Sequence, residues 1–221
     1  MYRFAASPIF VWLGLGAFNA HAAPPAPFAP PAPARAMPAA MQAELESPVT
    51  RLLTNPYGEV DGLRLSDGTI VRFPPHLAEA LTAAVQVGDR VRVIGRRESA
   101  SSVKADAIVN TATGQTVYDQ PPAPRGGRPM PAHLRMAGLQ TQQAQGHIDV
   151  VLTGPRGEAQ GVILSDGSIV RFPPHALQQA LRQGQPFAAS GLGTRNAYGA
   201  SLEAVSTGAS LSDLQPLYDR P

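Results

Sequence analysis

No cysteine occurs anywhere in this 221-residue chain. That excludes disulfide staples, a lipid-modified cysteine anchor, a thiol nucleophile and thiolate metal sites. Aromatic residues make up only 6%, which leaves little for the stacking platforms on which single-stranded nucleic-acid binders hold bases. Lysine is nearly absent; the cations are arginines in a composition rich in Ala, Pro and Gly. This matches GC-rich coding and is no sign of selection for phosphate. No G-x-S-x-G elbow and no H-E-x-x-H pair occurs. Gly191-Leu192-Gly193 lacks the third spaced glycine of a phosphate loop and runs into a hairpin. Acidic residues are scattered or sit in turns, so no general acid/base pair stands out. The expectation is a non-enzyme with no metal and no cofactor.

Long hydrophobic runs are also missing. Ile9 to Phe18 is the most apolar stretch, well short of the about 20 residues of a spanning helix. It follows a basic start, Met1-Tyr2-Arg3, and precedes Ala20-His21-Ala22. Basic start, apolar run and A-x-A in this order read as a signal peptide, residues 1–22, cleaved after Ala22. Export without cysteine points to a periplasm. No transmembrane segment is expected in the mature chain.

What is present is a duplication. Gly58-Glu59-Val60-Asp61-Gly62-Leu63-Arg64-Leu65-Ser66-Asp67-Gly68-Thr69-Ile70-Val71-Arg72-Phe73-Pro74-Pro75-His76 returns as Gly157-Glu158-Ala159-Gln160-Gly161-Val162-Ile163-Leu164-Ser165-Asp166-Gly167-Ser168-Ile169-Val170-Arg171-Phe172-Pro173-Pro174-His175. So long a match means two copies of one small domain. The boundaries read as a Pro/Ala-rich spacer at 23–46, repeat one at 47–119, a Pro/Arg/Gln linker at 120–145 and repeat two at 146–221. Such a linker transmits little cohesion and predicts two units that melt separately. Within the linker, Leu134 to Gln143 is a weak helix candidate without a clear apolar face.

The pI of 9.3 does not come from the repeats. Eight cations meet eight acids in repeat one, and five meet six in repeat two. The surplus lies in the linker, at Arg125, Arg128 and Arg135, and at Arg3 in the leader. Neither repeat is basic, which weakens the counterion-release case for nucleic acid.

Each repeat reads as five strands and one helix. In repeat one, Val49–Thr54, Glu59–Leu65 and Ile70–Phe73 are strands. Asn55-Pro56-Tyr57-Gly58 is a turn, and Ser66-Asp67-Gly68-Thr69 is a hairpin whose Asp-Gly suits a primed turn. Pro74-Pro75 stops sheet pairing. Pro75 starts a helix that buries Leu77, Leu81 and Ala84. Val91 and Val93 alternate with Arg90, Arg92 and Arg96 in a fourth strand, and Val103–Thr111 is the fifth. Repeat two follows in the same order, with a helix over Ala176–Leu181 and a fifth strand at Leu202–Ser206.

Five strands with a helix between the third and fourth resemble the OB-fold, and the chain as a whole resembles the secreted bacterial OB-fold proteins. The fold class expected is all-β: two tandem small five-stranded OB-like barrels, each with one short helix between strands 3 and 4. Two SH3-like barrels are the alternative. The resemblance implies binding across strands two and three and carries over no catalytic residue.

On that face the candidate binding residues are Arg64, Arg72 and Arg92 in repeat one and Arg171 in repeat two. Alternation puts Arg72 with Ile70 on one side and Val71 with Phe73 on the other. Ile163 and Ala188 replace Arg64 and Arg92 in repeat two. His76 and His175 each follow Pro-Pro, but one imidazole per repeat falls short of the three or four ligands of a transition-metal site. The expected function is an exported binding or adaptor protein of the envelope, whose partner is an envelope protein or an anionic ligand. The alternative is a single-stranded nucleic-acid binder.

N-terminal sequencing of exported material should begin at Ala23, because Ala20 and Ala22 are the small residues before the cut. An intact Met1 on the periplasmic protein would refute the cleavage site.

Overall fold

A computed structural model describes residues 42–122, 135–177 and 180–218. The leader, most of the spacer, the Pro-rich part of the linker, two residues of the second predicted helix (Gln178 and Gln179) and the last three residues lie outside the described ones. Among the described residues, no helix is long and apolar enough to cross a membrane.

The first copy contains β1 (Gln42–Thr54), β2 (Val60–Leu65), β3 (Ile70–Arg72), a 3-10 turn (Pro75–Leu77), α1 (Ala78–Ala84), β4 (Arg90–Ser99), β5 (Ser102–Asn110) and β6 (Thr116–Tyr118). The second contains β7 (Gln140–Thr153), β8 (Ala159–Leu164), β9 (Ile169–Arg171), β10 (Pro186–Asn196), β11 (Gly199–Gly208) and β12 (Gln215–Pro216). In the first copy β1 pairs with β2 and β4, β2 with β3, and β4 with β5, all antiparallel; a parallel β3–β5 pairing closes the ring. The second copy repeats this with a parallel β9–β11 closure. Two closed five-stranded barrels result, each built only from its own strands, as the OB-like layout predicts. The short strands β6 and β12 add to β5 and β11.

Alternation decides what fills each barrel. Leu63, Leu65, Val71, Phe73, Val91, Val93 and Val103 point into the first, with Leu81 of α1 closing one end. Val162, Leu164, Val170, Phe172, Phe187 and Leu202 fill the second. The first strands start earlier than the sequence suggested. β1 reaches back to Gln42 because Ala43 and Ser47 continue the inward alternation against β4. β7 runs from Gln140, so the linker's candidate helix gives way to strand over Gln140–Gln143.

The hairpins also differ from the primed turn expected of Asp-Gly. In the first hairpin only Gly68 has positive φ, at 85°, and its counterpart Gly167 has 84°. The Gly68 amide donates to the Leu65 carbonyl, and the Leu65 amide to that of Thr69. This is a type I turn followed by a left-handed glycine that forms a bulge, the three-residue solution. Asp67 Oδ1 accepts from the Thr69 amide at 2.9 Å, and Asp166 Oδ1 from that of Ser168 at 2.8 Å. The aspartates are therefore turn residues in both copies.

Pro74-Pro75 ends β3 and starts the helical segment as expected. The Asn110 amide donates to the Ala84 carbonyl and the Asp89 carboxylate, both at 2.9 Å, and so ties down the end of α1. In the second barrel Pro174-His175 is a turn, with His175 at φ 63°. The described part of Ala176–Leu181 is not helical.

Gly95 and Gly191 sit at matching bulges in β4 and β10. A Cβ at Gly95 would overlap the Lys104 carbonyl, and one at Gly191 that of Glu203. Both clashes are with backbone, which has no rotamer to give way. Gly95→Ala should lower stability by about 3 kcal/mol, the upper part of the usual range for point changes, read from urea denaturation. A loss below about 0.5 kcal/mol, the level of an ordinary surface change, would show that the bulge relaxes freely.

Candidate binding site at the seam between the barrels

The outward face of strands one to three in each barrel packs against the same face of the other. Leu53 and Ile70 from the first barrel meet Leu152, Ile163 and Ile169 from the second in one buried cluster, with Val150 at its edge. Leu53 corresponds to Leu152, and Ile70 to Ile169, in the repeat alignment. The seam is thus an approximately two-fold contact within one chain, like the self-complementary interface of a dimer. The linker composition predicts little cohesion through the connection itself; the shared cluster is a contact between the barrels that does not run through the linker.

Polar contacts frame the cluster. Arg171 reaches across to Asp61 with Nη2 at 3.0 and 3.1 Å from the two carboxylate oxygens. Arg64 pairs with Asp149. Ser201 Oγ donates to the Thr54 carbonyl at 3.0 Å, and the Asn196 amide to that of Gly58 at 2.8 Å. Thr153 Oγ1 donates to Ser99 Oγ at 3.2 Å. The Arg51 guanidinium packs on Gly167 of the opposite hairpin, leaving no space there for a Cβ.

Within the seam lies a cavity of about 20 Å³ lined by Leu53, Asp61, Ile70, Arg72, Ser102 and Arg171, among others, room for about one water. Two polar atoms of its lining, Ser102 Oγ and Arg171 Nε, are buried without a protein partner. Asp61, Gln160 and Arg171 also line a more open groove that continues to Pro56, Phe172, Pro174 and Glu203.

The four predicted arginines separate here. Arg64 and Arg171 cross the seam. Arg72 lines the cavity but is bound to Glu98 of its own barrel at 3.1 Å. Arg92 stands apart on β4, 3.6 Å from Glu46 and 4.0 Å from Glu44. All four thus face carboxylates, and no continuous cationic strip forms. His76 Nε2 lies 2.8 Å from the Gln120 carbonyl and clasps the tail after β6 to the start of the helical segment. Among the described residues, no group of three or more His, Cys, Asp or Glu is placed to hold a metal ion.

Sequence reasoning missed Asp61, Arg51, Ser102 and Asp149. A signal existed: Asp61, Arg51 and Arg64 are replaced by Gln160, Val150 and Ile163 in repeat two, and Thr50 by Asp149. Where two copies meet through one face, the same position has different neighbours on each side and diverges.

No protein-family model matches the chain, and no curated protein matches it.

Burial raises the Asp61 pKa above its ordinary value of 3.8, despite the opposing fields of Arg171 and Arg72. Glu203, in register with Arg171 on the neighbouring strand, is also raised by burial, again against Arg171. Desolvation thus outweighs attraction, the usual hazard of a buried ion pair. The stability these carboxyls contribute is full below their ordinary values and is lost as pH rises through the raised ones. Asp61→Asn keeps an acceptor for Arg171 and removes the ionisation. It should flatten the dependence of stability on pH from the ordinary carboxylate range upward. By urea denaturation across pH, the variant should lose no more than about 1 kcal/mol at neutral pH, because its amide oxygen still accepts from Arg171 and the charge that burial opposes is gone. A loss of several kcal/mol at neutral pH would mean that the buried Arg171 needs the full charge of Asp61.

Proposed function

We propose that this chain is an exported, non-catalytic binding or adaptor protein of the cell envelope, released into the periplasm by cleavage after Ala22. In this reading it belongs with the secreted OB-fold proteins it resembles, and its partner is a protein. One observation carries the choice. The strand face on which OB barrels take ligands has here an apolar centre, Leu53 and Ile70, ringed by ion pairs, and it already holds a protein surface, that of the second barrel. An apolar centre with a polar rim is the anatomy of a protein interface.

A nucleic-acid groove needs unpaired cations along the backbone path and aromatic platforms. Arg64, Arg72, Arg92 and Arg171 all face carboxylates. Tyr57, exposed beside the seam, is covered by Arg135 at 4.4 Å from its ring centre. These features support a protein partner over the anionic-ligand and single-strand alternatives.

Fluorescent oligothymidylate titrated with the mature chain at low salt should show no saturable binding. Tight binding that falls steeply with added salt would overturn the reading in favour of single-stranded nucleic acid.

A further inference from the structure

The seam covers the face that the proposed function assigns to a partner. We propose that it is a gate: the partner binds with the barrels apart, on the strand faces that the closed seam hides. This rests on the reading of the chain as a binding protein and adds how its site is controlled.

Three features make opening feasible. The barrels keep their own cores when they part, because sixteen buried residues fill the first and ten the second, against five in the seam. The seam is imperfect inside. Ser102 Oγ and Arg171 Nε have no protein partner there, and opening returns both to bulk water. Burial likewise works against the charged form of Asp61. The connection also permits it: twenty-one residues separate Tyr118 from Gln140, and beyond Asp119 exposed contacts, His76 to Gln120 and Arg135 to Glu59, tie its described residues to the first barrel. Interfaces of this kind between domains permit relative motion unless they are large and apolar.

The groups facing Asp61 are Arg171 from the second barrel and Arg72 and Glu59 from the first; Glu203 faces Arg171. A carboxyl whose closed form resists ionisation favours the closed state in mild acid and the open state as pH rises. The gate should therefore open more readily at neutral than at mildly acidic pH.

The absence of cysteine permits a clean lock. A Cβ at Gly58 would stand 3.6 Å from the Thr194 Cβ across the seam, within the disulfide range of about 3.5–4.5 Å. In Gly58→Cys/Thr194→Cys the oxidised and reduced forms share whatever strain a side chain at φ +83° introduces, so their difference reports the lock alone. Hydroxyl-radical footprinting of the full mature chain is the readout, because opening uncovers side chains and breaks no strand pairing. With the gate, Leu53, Ile70, Leu152, Ile163 and Ile169 are modified more slowly in the oxidised form by about threefold or more, while Leu63 and Leu164 of the barrel cores are unchanged. In the reduced form the same seam side chains are modified faster at neutral than at mildly acidic pH.

Ile70→Glu, which charges the seam and not the barrel interior, should raise the radius of gyration with the far-ultraviolet circular dichroism kept. Equal modification of the seam side chains in the two redox forms, or failure of the folded chain to form the disulfide, would overturn the gate. So would an unchanged radius in Ile70→Glu. The binding reading fails separately. If the reduced form opens yet a photo-crosslinker at position 53 joins no envelope protein in cells, the gate stands and its partner does not.

Discussion

Everything at the seam depends on the parallel pairing that closes each barrel. Strand β3 has three residues, Ile70 to Arg72, and is bonded on one edge to β2 and on the other to β5. With both edges occupied, only side chains remain to act. Val71 turns inward with Val103, its partner in the pairing, and both are fully buried in the barrel core. Ile70 is left outward beside Ser102. Strand β9 repeats this with Ile169 beside Ser201. Closure thus places a β-branched residue and a small hydroxyl on the outside of each barrel, at the one place where the strand cannot shift. A fixed apolar spot of this kind needs cover, and the other copy supplies it. Ser201 satisfies its hydroxyl on the Thr54 carbonyl, while Ser102, its counterpart, meets no partner. The near-symmetry of the contact breaks at that point.

Much of this architecture is legible in the sequence, because it follows from local rules. The repeated segment, the Asp-Gly hairpins, the Pro-Pro stop and the inward set Leu63, Val71 and Phe73 are each determined within a few residues. The turn type was misread because Asp-Gly suits two hairpin geometries, and the backbone of Asp67, not its identity, separates them. The ends of β1 and β7 were missed because polar residues such as Gln140 and Gln142 occupy outward strand positions that composition assigns to a linker.

The site was legible only in part, for a different reason. Alternation says which face Arg64 and Arg171 lie on, but not what rests on that face. Their partners Asp149 and Asp61 are 85 and 110 residues away along the chain. No local pattern links them, and only the divergence between copies hinted at it.

That divergence is directional. The first barrel brings Arg51, Asp61 and Arg64 to the seam, and the second brings Val150, Gln160 and Ile163 at the same positions. Apart, the first face would present charges around Leu53 and Ile70 and remain well hydrated. The second would present Val150, Leu152, Ile163 and Ile169 as one apolar strip, with Val150 paired to Ile163 and Ile163 to Ile169 in the sheet. Contiguous apolar surface of this kind drives association. The two copies therefore have unequal needs. The second barrel requires cover and the first provides it, with Arg64 paired to Asp149 across the seam. In an open chain the two faces would differ in kind, the second an apolar strip flanked by Arg171 and the first an apolar centre, Leu53 and Ile70, ringed by charge.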